Sequence, residues 1–242
     1  MELTVLGNNG TCPIKDGACA SYLLQVNNQK ILIDVGNGSV AKLQHICDLS
    51  KIDTIIISHL HFDHIADLFP LKYALETRKY LGESISKIKL YIPFVPDWIK
   101  QEISTNDIFD IIYIHDGFTC NFSQLQLTFK QVVHIIDSFA IRIENESNVF
   151  VYSGDSGLCP ALREIAQNAN VFLCESTMLE DNSGISHHLS AMQAAQTAYE
   201  ARVGKLLLTH FAQPYHALKY EQKAKMFFNN VESTAILKSY LI

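Results

Sequence analysis

Residues 58–64 read Ser58-His59-Leu60-His61-Phe62-Asp63-His64, and they follow directly on the apolar run Ile55-Ile56-Ile57. The run reads as a buried strand. A strand that ends in a tight turn brings closely spaced side chains around one point. Imidazole nitrogens and carboxylate oxygens gathered there form a ligand set for a divalent cation, at about 2.0–2.1 Å from nitrogen. Without a cation, the same groups packed between apolar flanks would suffer desolvation and mutual repulsion. The stretch therefore reads as a metal site built onto the end of a strand.

The chain has 242 residues, 48% of them hydrophobic, ample for a substantial core. No low-complexity linker or charge run marks a boundary, so one domain over residues 1–242 is expected. Net charge is −6, and no Lys/Arg stripe of the kind a dedicated nucleic-acid binder carries is present. Met1 to Gly7 lacks the basic, apolar make-up of a secretory leader and reads as a first strand, which leads to an expectation of cytoplasmic residence. No apolar run approaches the ~18 residues that would cross a bilayer. The cysteines Cys12, Cys19, Cys47, Cys120, Cys159 and Cys174 form no Cys-x-x-Cys pair and read as reduced, mostly buried thiols. Cys174 stands out because it precedes Glu175.

Short β-rich runs recur at 3–6, 21–26, 30–34, 54–58, 89–92, 111–115, 125–133, 140–143, 149–153, 171–174 and 205–209. Helical stretches are expected at 40–47, 69–81, 160–168 and 191–202. The last of these carries a capping-box signature, Ser190 with Gln193, and ends at Gly204. Strands and helices alternate, with hairpin-like pairs such as 21–26 and 30–34, which calls for stacked sheet and helix layers. His59, His134, Asp155 and His210 each fall just beyond the carboxyl end of an expected strand, so ligands remote in sequence share one rim.

His59-x-His61-x-Asp63-His64 after a strand resembles the signature of the metallo-β-lactamase superfamily, and the rest of the chain resembles that superfamily in order. Lys30 to Gly36 resembles its early Asp-x-Gly strand, with Asp34 in a supporting rather than ligating part. Tyr152-Ser153-Gly154-Asp155-Ser156 resembles its Gly-Asp-Ser/Thr segment, and Leu207-Leu208-Thr209-His210 its final ligand strand. The resemblance implies an α/β fold, a four-layer αββα sandwich of two mixed sheets flanked by helices. It also implies two divalent metal ions, zinc foremost with manganese or iron as alternatives. One metal would take His59, His61 and His134, the other Asp63, His64 and His210, with Asp155 bridging.

Within the superfamily, His188-Leu189-Ser190-Ala191-Met192-Gln193-Ala194-Ala195 and Glu175-Ser176-Thr177 are similar to two motifs of ribonuclease Z-type phosphodiesterases. This implies a phosphodiesterase in which a metal-activated hydroxide attacks phosphorus, Asp63 orients or deprotonates the nucleophile, His188 protonates the leaving oxygen and Glu175 assists. His187 reads as a solvent-exposed loop histidine. Three departures speak against transfer-RNA processing itself. The span from His134 to Asp155 has room for a hairpin but not for the family's long substrate arm. Ile65 to Pro70 stands where that family has Gly-Leu-Pro-Gly, and Ala212-Gln213-Pro214-Tyr215 where it has Ser-x-Arg-Tyr. A small-molecule or short nucleotide substrate is expected. Relatives often form homodimers, and Tyr91, Phe94 and Trp98 are candidates for core or contact positions. The rival readings are a glyoxalase II-like thioester or lactam hydrolase and a non-catalytic metal-binding module. A diiron oxidoreductase is disfavoured by His61, which stands where such relatives have Glu, and by the lack of a flavin module.

Overall fold

A computed structural model of the chain describes residues 1–181, 187–212 and 216–242. They form two compact units. The first comprises Met1–Gly7, Thr11–Ile114 and Ile236–Leu241, and the second Asn8–Gly10 and His115–Ala235, with the terminal Ile242.

The strands of the first unit are β1 (Glu2–Gly7), β2 (Ser21–Val26), β3 (Gln29–Ile33), β4 (Thr54–Ile56), β5 (Ile88–Ile92), β6 (Phe109–Tyr113) and the terminal β14 (Ser239–Leu241). They form one mixed sheet in the order β14-β1-β2-β3-β4-β5-β6. Its first half is antiparallel, with a hairpin that closes at Val26 opposite Gln29. From β3 to β6 the strands run parallel, which demands crossovers. These are supplied by α1 (Ser39–Leu43), α2 (Phe62–Ile65), α3 (Leu68–Tyr80) and α4 (Asp97–Ser104). Leu23, Leu32, Ile55 and Leu90 face one another across four strands. That row belongs to one buried cluster with Leu68, Leu71 and Leu75 of α3 and Ile99 and Ile103 of α4. Each such side chain contributes about 1.5–3 kcal/mol by leaving water.

The second unit holds β7 (Thr119–Phe122), β8 (Leu125–Val132), β9 (Ser138–Glu144), β10 (Val149–Tyr152), β11 (Val171–Glu175), β12 (Lys205–Thr209) and β13 (Val231–Ser233). These also form a mixed sheet, an antiparallel meander from β7 to β10 followed by a parallel half from β10 to β13. The row Val151, Phe172, Leu206 and Val231 is buried with Leu162 and Ile165 of α5 (Pro160–Ile165) and Ala191, Ala194, Ala195 and Ala198 of α6 (Ala191–Glu200). Apart from Thr197, the buried residues of α6 are all alanine, so the helix backbone lies close to the sheet. The capping box is formed: the Ser190 hydroxyl accepts from Gln193 N–H, and Ser190 N–H donates to the Gln193 side chain. Helix α7 (Ala217–Ala224) completes the unit.

The expected strands are all present, two of them, β2 and β12, with the expected bounds. Three helices go beyond expectation: α2, where a tight turn was expected, α4 and α7. The helix expected over 40–47 closes at Leu43, because His45 and Ile46 turn back to carbonyls three residues earlier. Strands β9 and β10 occupy the span between His134 and Asp155, so no arm projects from it. Tyr91 is buried, while Trp98 is half exposed and stacks on Phe69 and the exposed Phe94 stacks on Tyr113. Among the described residues no helix is long and apolar enough to cross a membrane. The Gln213–Tyr215 part of the departure noted after His210 lies outside the described residues.

Candidate metal centre

In the first unit, β4 ends at Ile56 and the ligand stretch begins three residues later. Asp34, at the end of β3, is fully buried and has a left-handed backbone, φ 54°. Its carboxylate accepts from Ser58 N–H (2.7 Å), Ser58 Oγ (2.8 Å) and His64 Nδ1 (2.8 Å). With Nδ1–H committed to Asp34, His64 presents Nε2, which lies 3.7 Å from Asp63 Oδ2. The supporting part expected of Asp34 is thus its observed part. Asp63 sits in the first turn of α2 and accepts from Thr11 N–H at 2.6 Å. His59 Nε2 and His61 Nδ1 stand 3.1 Å apart. Two nitrogens bound tetrahedrally to one zinc at 2.0–2.1 Å would be separated by about 3.4 Å, so the pair fits a shared cation with little adjustment.

In the second unit, His134 lies two residues past β8, Asp155 three past β10, and His210 directly after β12. Asp155 Oδ2 is 3.3 Å from His210 Nε2 and 4.0 Å from His134 Nε2. One buried carboxylate oxygen thus faces two imidazole Nε2 atoms. His210 has φ 58°, a conformation that β-strand neighbours do not share and that a non-glycine residue adopts only when its surroundings impose it. One such constraint is Gly10, paired to the strand end at Phe211: a Cβ there would lie 2.9 Å from the His210 ring. The ring's Nδ1 lies 2.8 Å from Thr177 Oγ1.

Asp155, His188 and His210 each offer a ligand atom within 4.8 Å of the others. His188 differs from the other two in what it serves, because its Nδ1 donates to Glu175 Oε1 at 2.9 Å. Glu175 is wholly buried and takes four more hydrogen bonds: Ser156 N–H (2.8 Å), Thr177 N–H (3.1 Å), Thr177 Oγ (2.6 Å) and Leu189 N–H (3.2 Å). A carboxylate so enclosed fixes the imidazole it holds.

The structure therefore groups His59, His61, Asp63 and His64 in the first unit, and His134, Asp155, His210, His188 and Glu175 in the second. Several contributors have no part assigned to them in the sequence reading. Ser58 and Thr11 N–H brace the first set, and Thr177 braces His210. His187 is a correction: it is half buried, not an exposed loop residue, and its carbonyl accepts from His134 Nδ1 at 3.0 Å. Of the cysteines, Cys19, Cys159 and Cys174 are buried, fewer than the expected majority, and among the described residues all six are free. Burial pushes the Cys174 thiol well up, with the Glu175 charge adding to it, and burial first and Asp63 second push Cys19 up to about 12. Neither is a nucleophile near neutral pH.

Sheet order, strand-end ligands and imidazole–carboxylate chemistry define a metallo-hydrolase scaffold. The chain belongs to the metallo-β-lactamase superfamily: the model of the β-lactamase superfamily domain matches residues 29–211. It is 28% identical over 232 residues to the probable metallo-hydrolase YhfI of Bacillus subtilis, covering 95% of this chain and 94% of that protein. The crystal structure of YhfI matches with a TM-score of 0.90 at 25% identity over 99% of both chains, which establishes the metallo-β-lactamase fold. Ribonuclease Z of Chlamydia trachomatis is 25% identical over 296 aligned positions, 98% of this chain and 96% of that one. That alignment is longer than this chain, so the relative carries insertions absent here. The crystal structure of the short form of human tRNase Z shares the fold, with a TM-score of 0.78 at 21% identity over 100% and 99% of the two chains.

Proposed function

We propose that the protein is a dinuclear metal-dependent phosphodiesterase of the cytoplasm, acting on a small phosphodiester such as a cyclic nucleotide or an RNA end. In this reading the two units act as one domain. His59, His61 and His134 would hold one cation and Asp63, His64 and His210 the other, with Asp155 shared between them. The mixed His and carboxylate set suits zinc first, then manganese or iron. Such a cation pair supplies a water made nucleophilic near neutral pH and a clamp for the attacking and leaving oxygens. Asp63 would orient a water bound there and accept its proton. His188, held through Nδ1 by Glu175, delivers a proton from Nε2 to the leaving oxygen.

The observation that carries the reading is the Glu175–His188 pair, a buried, fivefold hydrogen-bonded carboxylate that holds one imidazole stacked on His210 and beside Asp155. An alkoxide leaving group needs such an acid, and a thiolate does not. A net charge of −6 favours a small anion over a long polyanion. The test is a substrate panel on metal-loaded protein, comprising bis(p-nitrophenyl) phosphate, cyclic nucleotides, a thioester and a β-lactam. Phosphodiesters should be the best substrates. His188→Ala should lose about 10²–10⁴-fold on alkoxide leaving groups and far less on p-nitrophenolate. Preferred turnover of the thioester or lactam, or full activity in Asp63→Ala, would refute the proposal.

A further inference from the structure

We infer that Thr177 is a positioning residue for metal binding: its hydroxyl sets the ring tautomer of His210 and ties that ring to the carboxylate that holds His188. The inference rests on the proposed reading of His210 as a ligand. The Thr177 hydroxyl meets three groups, Glu175 Oε2 at 2.6 Å, His210 Nδ1 at 2.8 Å and His188 Nδ1 at 3.2 Å. It has one proton to give. Backbone N–H groups donate to both oxygens of Glu175, Ser156 to Oε1 and Thr177 and Leu189 to Oε2, so both oxygens act as acceptors. The hydroxyl proton therefore goes to Oε2, its shortest contact. The oxygen then accepts from His210, which requires the proton on Nδ1 and puts the lone pair on Nε2, the atom 3.3 Å from Asp155 Oδ2.

The arrangement is directional. The carboxylate polarises the hydroxyl, and the hydroxyl fixes the imidazole; turned the other way, the hydroxyl would donate to Nδ1 and place the proton on Nε2, where it would block coordination. Thr177 is itself buried, and its carbonyl accepts from the buried Tyr220 hydroxyl, so little freedom remains for rearrangement. One carboxylate thus serves two histidines, His188 directly and His210 through Thr177. A role limited to satisfying Glu175 makes a different prediction, because without the hydroxyl that carboxylate still keeps three backbone donors and His188.

The test is zinc affinity of the full chain, by competition with a chromophoric chelator, for Thr177→Val, Thr177→Ala and Thr177→Ser. Loss of the hydroxyl should weaken one of two zinc equivalents by about 10–100-fold, while Ser restores wild-type affinity. In parallel, ¹⁵N NMR of the histidine rings should show the Nδ1–H form of His210 in wild type and Ser, and a mixture in Val. The Ala variant gives the same reading should Val fail to fold. Wild-type zinc affinity in Val or Ala overturns the inference, as does a Ser variant as weak as Val. A wild-type protein that binds no zinc overturns both this inference and the proposed function, whereas tight wild-type binding unaltered in Val overturns this inference alone.

Discussion

Which nitrogen of a histidine faces a cation is decided by what the other nitrogen touches. For His64 that partner is Asp34, and the geometry permits a clean experiment. Asparagine tolerates the left-handed backbone of residue 34 about as well as aspartate does, so Asp34→Asn leaves the turn intact and changes only the hydrogen bonds. Asp34 Oδ2 now accepts from both Ser58 Oγ and His64 Nδ1. An amide NH₂ at that position would donate to Nδ1 instead and push the ring proton to Nε2. Zinc affinity should fall about 10–100-fold with the melting temperature of chelator-treated protein little changed; unchanged affinity, measured by chelator competition, would show that Asp34 does not orient the ligand. The proposed ligands were nameable from sequence because residue type carries their chemistry. Their supports were not, since a carbonyl at His187 and an N–H at Thr11 have no side-chain signature. Thr177 was visible in Glu175-Ser176-Thr177, but its contact with His210 depends on β11 lying beside β12 with Glu175 opposite Thr209.

At the scale of elements, interior strands were easiest to read, because β-branched and leucine runs bounded by turns match the pleat on both faces. Helices of eight residues or fewer were harder. Helix α4 offers Ile99 and Ile103 as its buried pair, and α7 offers Tyr220 and Ala224, one spacing of four in each case and too little periodicity to stand out. Helix α2 packs by backbone: Val35 N–H donates to the His64 carbonyl at 2.7 Å, and a Cβ on Gly36 would collide with the Asp63 carbonyl. Gly36→Ala must therefore displace the helix that carries Asp63 and His64. About 1–3 kcal/mol of stability should be lost, together with most activity, as thermal unfolding and turnover would show; an unperturbed, active Ala variant would mean that α2 has slack. Farther along, the Arg78 guanidinium near the end of α3 clasps Asp48 and Glu83. The hydrogen bond from Arg78, then that from Ser50, holds the Asp48 carboxyl well below the usual carboxylate range. A depressed folded pKa means that the contribution is present above about pH 4, the unfolded value, and is lost as pH falls from there toward the folded value. Asp48→Asn should thus be less stable than wild type in urea at pH 7, and the gap should narrow progressively as pH falls below about 4. A gap of constant size would show that the clasp does not act through charge.

For the molecule as a whole, the proposed ligand set is the organising feature. The first unit contributes His59, His61, Asp63 and His64, the second His134, Asp155 and His210, and neither set fills two coordination spheres with a bridging carboxylate. The proposed cation pair therefore needs both units, and binding should be coupled to the stability of the whole chain rather than of one sheet. A ligand that binds only the folded state stabilises it by about 2.7 kcal/mol at a hundredfold excess over its Kd, so the melting temperature should climb with free zinc and fall on chelation. Under this reading, His59→Ala in one unit and Asp155→Ala in the other should each flatten most of that climb, although they follow strands of different sheets. If each unit bound an ion on its own, the two variants would each lose only their own share and the losses would add. Scanning calorimetry of the three proteins across a zinc series separates these outcomes: a full zinc-dependent rise in either variant, or losses that sum to the wild-type effect, would rule out a shared centre.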